Sequence, residues 1–338
     1  MILLTGGTGL VGSHILYDLT VRGDKVRVTR RDNSNIDIVD RLFRFYAGED
    51  ANVLLDRIEW VNADLADYYS LEDALEGVTH VIHSAAMVSF NPGEAEKMLN
   101  VNSEGTANLV DACLEKGVEK LCFVSSVSSL GRHPADQEID EDVEWQPDDN
   151  RSAYSYSKFR SEMEVWRASK EGLPVIVVNP SVIIGPVDWK RSSGRLFYSV
   201  RKGMPFYTGG ITGFVDARDV AEAVTELIKS DVVNERFILN GENLRFKDFF
   251  SKVARALGKK PPFLKATEWM TEIGWRFNLV LCALAGKAPA ITKDTARAAH
   301  NRSFYSSRKF SQKFNFTFRT MDEAVQNTAR WYKEQFSH

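Results

Sequence analysis

Residues 2–12 read Ile-Leu-Leu-Thr-Gly-Gly-Thr-Gly-Leu-Val-Gly and decide the fold of this 338-residue chain. The apolar start predicts a buried strand, and the apolar spacing of residues 10–21 predicts a helix directly after the glycines. Gly6 permits a tight turn, Gly9 lets the backbone approach a pyrophosphate, and Gly12 allows close helix–strand packing. The segment therefore predicts a dinucleotide site at a helix N-terminus, the alternative being a glycine-rich turn in an unrelated α/β fold. The residues expected to contact the cofactor here are Gly6, Thr8, Gly9, Leu10, Val11 and Gly12.

Short apolar runs alternate with helical segments through the first half of the chain, which predicts an α/β fold with a doubly wound parallel sheet (Rossmann). The predicted strands are Ile2–Leu4, Val26–Thr29, Ile58–Asn62, His80–His83, Leu121–Ser125 and Val175–Asn179. The predicted long crossover helices are Leu10–Val21, Asn102–Lys116 and Ser152–Lys170. Residues 1–180, rejoined by about 212–240 through a strand at Arg236–Leu239, are assigned to the dinucleotide-binding domain.

Residues 181–211 and 241–338 are assigned to a smaller, mostly helical C-terminal substrate lobe. Loop-forming residues such as Gly185-Pro186 occur at the beginning of this lobe, and helical patterns dominate the rest of the chain. The helices predicted after residue 211 are Ala217–Lys229, Phe246–Leu257, Glu268–Ala285 and Met321–Phe336.

The composition, with 43% hydrophobic and 26% charged residues, is ordinary for a soluble protein. A net charge of −3 gives no reason to expect nucleic acid or an anionic membrane as a partner. Three cysteines without paired spacing favour reduced thiols and a cytoplasmic location, and a strand starting at Ile2 predicts that no secretory leader is present. The histidines and cysteines show no metal-ligand spacing, so no metal is expected.

The longest apolar stretch, Leu279–Ala285, is too short to cross a bilayer. We interpret it as part of a buried helix. Membrane contact through the surrounding segment Trp269–Ala290 is the lesser alternative.

Tyr154 and Lys158 stand four residues apart in a predicted helix, so both side chains share one face. An ammonium beside a phenol favours the phenolate, and we therefore expect a depressed Tyr154 pKa and proton transfer at neutral pH. The serine-rich end of the fifth strand, residues 123–131, would face the ligand crevice of an open sheet and bring a hydroxyl to a substrate oxygen. The alternatives are a surface Tyr–Lys contact and serines that only satisfy loop backbone groups.

The end of the second strand bears on which dinucleotide binds, because arginine there suits a 2′-phosphate and a carboxylate suits a ribose 2′-hydroxyl. Residues 28–32 read Val-Thr-Arg-Arg-Asp. Arg30 and Arg31 favour NADP. In the alternative, both arginines are solvated and Asp32 binds the ribose of NAD.

In the glycine loop, the serine-rich strand end and the Tyr154–Lys158 pair, the chain resembles the extended short-chain dehydrogenase/reductase family, within the NAD-dependent epimerase/dehydratase superfamily. The resemblance covers nearly the whole chain and rests on six ordered motifs. They are residues 5–12 (Thr-Gly-x-x-Gly-x-x-Gly), Asp64-Leu65, His83-Ser84-Ala85-Ala86, Asn102-x-x-Gly-Thr106, Tyr154-x-x-Ser-Lys158 and Asn179-Pro180-Ser181-x-x-x-Gly185-Pro186. Ala63 departs from the pattern, since glycine is usual at that place.

The resemblance implies roles for residues that spacing alone does not assign. Tyr154 would be the acid/base, Lys158 would hold the nicotinamide ribose and tune Tyr154, and Ser126 would polarise the substrate oxygen. Asn102 joins them as a candidate catalytic residue. Further residues expected to contact the cofactor are Asp64, Leu65, Ser84, Ala85, Ala86, Tyr154, Lys158, Pro180 and Val182. The resemblance also implies a homodimer formed through the Asn102 and Ser152 helices.

The resemblance alone leaves the reaction open among reductases, epimerases and dehydratases. Val127 and Ser128 stand where the family's dehydratases carry an Asp-Glu pair, which argues against a sugar dehydratase. The aliphatic run Val182-Ile183-Ile184 and residues 213–220 look like the dihydroflavonol reductase and 3β-hydroxysteroid dehydrogenase branch. Aromatic residues of the lobe, which would suit an apolar substrate unless they pack in the core, are Phe197, Tyr198, Phe206, Tyr207, Trp269 and Trp275.

The sequence therefore predicts an NADP(H)-dependent oxidoreductase that reduces a carbonyl of a small substrate, which the aromatic residues of the lobe would allow to be ring-bearing, or oxidises the alcohol. An NAD-dependent nucleotide-sugar epimerase is the first alternative, because hydride removal and return would use the same serine, tyrosine and lysine. A non-catalytic NADP-binding sensor is the second.

Overall fold

The computed structural model describes residues 1–89, 91–133, 137–146, 151–189, 192–284 and 292–336. Its strands are β1 (Ile2–Thr5), β2 (Val26–Arg30), β3 (Ile58–Asn62), β4 (His80–His83), β5 (Lys120–Val124), β6 (Glu138–Ile139), β7 (Val175–Pro180), β8 (Val182–Ile184), β9 (Phe206–Tyr207), β10 (Ile211–Asp216), β11 (Glu235–Leu239), β12 (Glu242–Arg245), β13 (Leu264–Lys265) and β14 (Phe304–Tyr305). Its helices are α1 (Leu10–Val21), α2 (Asp37–Ala47), α3 (Ala51–Leu55), α4 (Tyr68–Ala74), α5 (Ala95–Glu115), α6 (Ala153–Lys170), α7 (Gly194–Arg201), α8 (Ala217–Lys229), α9 (Phe246–Ala256), α10 (Glu268–Leu284), α11 (Lys293–Ala298), α12 (Arg308–Phe314) and α13 (Met321–Phe336).

Seven parallel strands form the central sheet in the order β11-β7-β5-β4-β1-β2-β3. All six predicted strands belong to it, and the predicted return of the chain is confirmed because β11 pairs with β7. The strand order reverses direction between β1 and β4, which pair in parallel from Ile2 with His80 to Thr5 with His83. In open α/β sheets, ligands bind beyond the carboxyl ends of the strands at such a switch point.

Both faces of the central sheet are buried at its inner strands, as the continuous apolar strands predict, whereas the edge strand β3 has no buried residue. Successive residues of one strand enter different cores: Leu4 belongs to one apolar cluster and Leu3 to the other. Helix α1 packs on the first face with α8, while α5 and α6 pack on each other at the second. Because helices pack on both faces of the sheet, α1 lies on one side of the switch point and α5 and α6 lie on the other.

The C-terminal part combines helices with small sheets, of which the largest joins β12, β10 and β8. Helix α10 begins at the predicted residue, Glu268, and ends at Leu284. The interpretation of Leu279–Ala285 as a buried helix is wrong at Leu279, whose side chain is 44% exposed. Ala285 lies outside the described residues.

Candidate active site

The glycine loop leaves a helix N-terminus open. Gly6 adopts a positive φ of +76°, and its carbonyl accepts a hydrogen bond from the Gly9 N–H at 2.9 Å. Gly9 is exposed and precedes α1, whose first turn carries no acidic residue. Helix geometry leaves the N–H groups of Leu10, Val11 and Gly12 without an acceptor inside the helix. An anion fits at this position, since three N–H groups and the helix dipole point toward it.

Three glycines of the loop, Gly6, Gly7 and Gly12, have no space for a side chain. A Cβ at Gly12 would lie 2.1 Å from the Gly6 carbonyl oxygen, and one at Gly6 would lie 2.6 Å from the Ala85 nitrogen. The site therefore needs glycine for close packing of the loop on α1 and on the segment after β4. Leu10, predicted as a cofactor contact, buries its side chain against Val187 and Ala217, so only its backbone remains for a ligand.

The segment after β4 is bonded to the glycine loop through a buried histidine. Thr5 accepts a hydrogen bond from the Ala85 N–H at 3.2 Å, and its hydroxyl lies 2.7 Å from Nδ1 of His83. The other ring nitrogen of His83 lies 3.1 Å from the hydroxyl of Thr106, which donates to the Asn102 carbonyl at 2.6 Å. Burial lowers the pKa of His83 to about 3, with the Lys158 cation acting in the same direction. A neutral ring therefore links β1, β4 and α5.

The ends of β2 and β3 hold the remaining residues predicted for the adenosine half. Arg30 closes β2 and donates through Nε to the Asn62 side chain at 3.0 Å. Arg31 is exposed, and its N–H donates to the Ser34 hydroxyl at 2.9 Å. Both arginines thus lie at the carboxyl edge of the sheet, one strand away from the glycine loop.

Asp64 and Leu65 follow β3 at the same edge. Asp64 accepts a hydrogen bond from the Ala66 N–H at 3.0 Å, and the Leu65 carbonyl accepts one from Asn108 at 2.8 Å. A Cβ at Gly105 would lie 2.8 Å from the Leu65 side chain. Leu65 is therefore packed directly on α5.

Ser126 and Tyr154 converge across the crevice. Ser126 follows β5, and Tyr154 lies in the first turn of α6, which begins after Ser152 accepts a hydrogen bond from the Ser155 N–H at 3.1 Å. Burial raises the pKa of the Tyr154 phenol, and a hydrogen bond from Ser126 acts in the opposite direction. The two hydroxyls are therefore in contact, so a carbonyl oxygen placed between them would meet two donors.

The expected effect of Lys158 on the Tyr154 pKa is wrong for this structure. The Lys158 ammonium donates to the Val124 carbonyl at 2.9 Å and lies 4.9 Å from the centre of the Phe123 ring. Burial lowers the pKa of Lys158 to about 8, while the Glu162 carboxylate acts to raise it. The pKa of Tyr154 is raised rather than depressed, because loss of solvent around the phenol outweighs the other influences on it.

Asn102, predicted among the catalytic residues, is bonded to protein partners at both ends of its carboxamide. Its oxygen accepts from the Met87 N–H at 2.7 Å, and its nitrogen donates to the Met87 carbonyl at 2.9 Å. The same nitrogen donates to the Ser157 hydroxyl at 3.1 Å. Both amide hydrogens are therefore used in joining the segment after β4 to α6, and neither is left for a reactant.

Glu162 is a buried residue of this site that the sequence analysis missed. Its carboxylate, 2% exposed, accepts hydrogen bonds from Ser125 at 2.6 Å and from Ser129 at 2.7 Å. Asn179 donates to the same oxygen at 3.0 Å. The other oxygen pairs with Arg236. The signal was present in the sequence, since a carboxylate four residues after Lys158 lies on the Tyr154–Lys158 face of α6.

The Glu162 network holds the backbone of Ser126. The Ser129 hydroxyl, whose one proton is directed to Glu162, also lies 2.8 Å from the Ser126 carbonyl oxygen, and Asn179 donates to that oxygen at 3.1 Å. Asn179 precedes Pro180, the last residue of β7, and its Oδ1 is buried without a hydrogen-bond partner among the described residues. Val182 then begins β8, and the chain returns to α1, because a Cβ at Gly185 would lie 3.3 Å from Leu10. The motif at residues 179–186 thus ends beside the first residue of α1.

The aromatic residues of the lobe do not form one pocket wall. Phe197 is buried against Phe249 and Tyr332, so it is a core residue. Phe206 and Trp269 are instead 43% and 66% exposed. The structure therefore separates side chains that the sequence grouped as candidates for an apolar substrate site.

The described part of the chain contains no cluster of three or more His, Cys, Asp or Glu side chains that could hold a metal ion. None of the helices in that part of the chain is long and apolar enough to span a membrane.

The chain is similar to reductases and dehydrogenases along most of its length. A Synechocystis protein named as a candidate dihydroflavonol 4-reductase is 27% identical, over 98% of this chain and 94% of its own. An Arabidopsis thaliana 3beta-hydroxysteroid-dehydrogenase/decarboxylase is 27% identical, over 90% of this chain and 73% of its own. The crystal structure of gox2253 superimposes with a TM-score of 0.81 and 30% identity, over 99% of this chain and 98% of that one.

The expected resemblance to extended short-chain dehydrogenases and their dihydroflavonol reductase and 3β-hydroxysteroid dehydrogenase branch is thereby confirmed. A family model also matches residues 2–239, which contain the glycine loop, the Ser126 strand end and the Tyr154–Lys158 helix. The chain belongs to the NAD dependent epimerase/dehydratase family.

Proposed function

We propose that this protein is an NADP(H)-dependent carbonyl reductase or alcohol dehydrogenase in which Tyr154 transfers the proton. The observation that carries the proposal is the contact between the Ser126 and Tyr154 hydroxyls at the mouth of the switch point. A nicotinamide dinucleotide bound at the glycine loop would supply or accept the hydride. The exposed Gly9 and the open start of α1 fit its pyrophosphate.

The raised pKa of Tyr154 keeps the phenol in the protonated form that the reduction requires. A phenol that keeps its proton can donate it to a substrate oxygen as negative charge develops there. Ser126 donates a second hydrogen bond to the same oxygen and so stabilises that charge. Oxidation of an alcohol would need the phenolate, whose population rises with pH.

Lys158, Asn102 and Glu162 act around these two hydroxyls. Lys158 lies one helical turn after Tyr154, is held by the Val124 carbonyl, and would contact the nicotinamide ribose. Asn102 joins the segment after β4 to α6, and Glu162 orders the loop that carries Ser126. We assign Asn102 and Glu162 as positioning residues, because their polar atoms bond to protein groups.

Similarity of the full-length chain to the candidate dihydroflavonol 4-reductase and the 3beta-hydroxysteroid-dehydrogenase/decarboxylase supports a carbonyl or secondary alcohol as the reacting group. Val127 and Ser128, which follow the serine, provide no acid or base for loss of water. A reductase would exchange its dinucleotide at each turnover. Tightly retained NAD in the purified protein would instead favour the epimerase alternative.

The experiment that tests the catalytic assignment uses Tyr154→Phe with a panel of aldehydes and ketones. Loss of the phenolic proton donor should lower the rate of NADPH oxidation by a factor of about 10² or more, the usual size of general acid catalysis. The dissociation constant for NADPH should change less than twofold. The neighbouring Tyr156→Phe is the control, since Tyr156 is exposed. Activity of Tyr154→Phe equal to that of this control would contradict the assignment.

The preference for NADP rests on Arg30 and Arg31 at the carboxyl end of β2. One hydrogen bond from a charged donor contributes about 2 kcal/mol, so replacing both arginines by alanine should weaken NADPH binding at least about thirtyfold. NADH binding should change less than threefold, because it lacks the 2′-phosphate. Arg41→Ala, an exposed arginine of α2, is the matched control. Equal losses for the two dinucleotides, measured by fluorescence titration, would show that Asp32 and the ribose decide the preference.

A further inference from the structure

Helix α10 presents large apolar side chains to solvent. Trp269, Ile273 and Phe277 stand at i, i+4 and i+8, so they share one face. Their exposed fractions are 66%, 60% and 65%. The opposite side of the helix contacts the rest of the protein, since the Thr271 hydroxyl lies 2.9 Å from Nε2 of His300. This arrangement is the reverse of an ordinary surface helix, which turns its apolar stripe toward the core.

A second exposed apolar group lies just before α10. Phe263 is 70% exposed, and Leu264 of β13 is 43% exposed. Leu264 pairs with Phe206 of β9, which is also 43% exposed, so two neighbouring strands add to the same group. The exposed cations that flank this group in the sequence are Lys259, Lys260 and Lys265.

The name α10 surface is used for six exposed side chains, three on α10 and three in or beside the β9–β13 pair: Phe206, Phe263, Leu264, Trp269, Ile273 and Phe277. With Leu279, they make seven of the fifteen exposed large hydrophobic residues in the described part of the chain. The acidic residues of the segment 259–279 are Glu268 and Glu272, and Glu272 is paired with Arg276. The lysines therefore give the segment a positive charge on a chain whose net charge is −3.

We propose that the α10 surface docks on the headgroup region of a membrane that contains anionic lipids. Trp and Phe side chains suit the boundary between headgroups and acyl chains, where an apolar ring can enter and a polar edge can stay wet. Lysines beside them would be attracted by the negative surface potential of such a membrane. Because none of the described helices could span a bilayer, the contact is interfacial. The proposal does not depend on the reaction proposed above.

The lysines favour a membrane over a second copy of the chain as the occupant. A symmetric dimer through the α10 surface would join two copies of a segment with a net positive charge, and like charges at an interface repel. The net charge of the whole chain, −3, does not reveal this local positive charge. The expectation that no membrane is a partner was drawn from that net charge.

The experiment measures cosedimentation of the full-length protein with vesicles of phosphatidylcholine in which about one lipid in three is phosphatidylglycerol. The wild-type protein should sediment with these vesicles and bind at least tenfold more weakly to vesicles of phosphatidylcholine alone. Added salt should weaken the binding, since it screens the lysines. The emission of Trp269, obtained by difference from a Trp269→Phe variant, should shift to shorter wavelength on binding.

Two double variants separate the apolar and charged parts of the surface. Trp269→Ser with Phe277→Ser should lower vesicle binding more than tenfold, and Lys259→Glu with Lys260→Glu should abolish the preference for anionic vesicles. The control is Tyr69→Ser in α4, because Tyr69 is 77% exposed and lies outside the surface. Unchanged circular dichroism and thermal midpoint would show that the variants are folded.

Several results would overturn the proposal. The first is wild-type protein that stays in the supernatant with anionic vesicles at low salt. The second is equal binding to neutral and anionic vesicles, and the third is an equal loss in the Tyr69→Ser control. The fourth is a dimer in light scattering that the Trp269→Ser, Phe277→Ser variant dissociates, because the surface would then bind a second copy.

Discussion

Replacing Glu162 with glutamine should destabilise the protein and slow the reaction through Ser126. One carboxylate oxygen accepts from Ser125, Ser129 and Asn179, and the other pairs with Arg236. The glutamine side chain has only one acceptor oxygen, so in either orientation its NH₂ group faces one of these two sets of donors. It also leaves the Arg236 guanidinium without a counter-charge.

The size of the effect follows from burial. Removing one partner of a buried ion pair costs about 3–5 kcal/mol, and the 25% exposure of Arg236 places this case near 3 kcal/mol. With about 2.1 cal/mol/K of unfolding entropy per residue for 338 residues, that loss lowers the thermal midpoint by about 4 °C. Because Ser129 and Asn179 hold the Ser126 carbonyl, the rate constant kcat should fall about tenfold or more.

The assay compares thermal midpoints, kcat and the NADPH dissociation constant of Glu162→Gln and Glu164→Gln. Glu164 is on the same helix but pairs with the part-exposed Arg167 at 2.9 Å, so its replacement should cost at most about 0.5 kcal/mol. NADPH binding should stay within twofold in both variants. Adding Arg236→Met to Glu162→Gln should cost less than the sum of the single changes, since the unpaired cation is then removed.

Two results would refute this reasoning. A midpoint for Glu162→Gln within about 1 °C of that for Glu164→Gln would show that the ion pair does not stabilise the fold. A lowered midpoint with unchanged kcat would show that the network supports the fold without positioning Ser126.

Two further predictions concern the glycine loop and pH. Gly12→Ala places a Cβ 2.1 Å from the Gly6 oxygen and should cost about 1–3 kcal/mol and at least tenfold in NADPH affinity. Gly274→Ala, in open space on α10, should be neutral in the same melting and titration assays. The reductive kcat should fall above about pH 8, where the buried Lys158 loses its proton, and this step should vanish in Lys158→Met. A reductive kcat that rises between pH 7 and pH 9 would contradict the last prediction.

Local patterns were sufficient for the sheet and for the glycine loop. The apolar runs predicted all six strands of the first half and the return at β11, because strands buried on both faces must be continuously apolar. They placed the start of α1 at the correct residue, Leu10, because glycine ended the preceding turn. The start of α5 was missed by seven residues, although Met98, Leu99 and Val101 already supply apolar positions ahead of Asn102.

The electrostatics of the site required the tertiary structure. Spacing put Lys158 beside Tyr154 and suggested a depressed phenol pKa, whereas burial raises it. Sequence spacing could not reveal that burial, because the residues that exclude water come from other elements. Asn102 was grouped with the catalytic residues by resemblance, and the fold shows its carboxamide bonded to Met87 and Ser157.

The sequence by itself determined the sheet and the glycine loop, because both depend on short-range spacing, and the family resemblance singled out Ser126, Tyr154 and Lys158 as candidate site residues. Only the tertiary structure decided what surrounds them. Glu162 meets Arg236 across 74 residues of chain, and such a pairing has no local signature. The exposure of α10 was likewise decided by the fold, since an apolar stripe has the same spacing whether it faces a core or solvent.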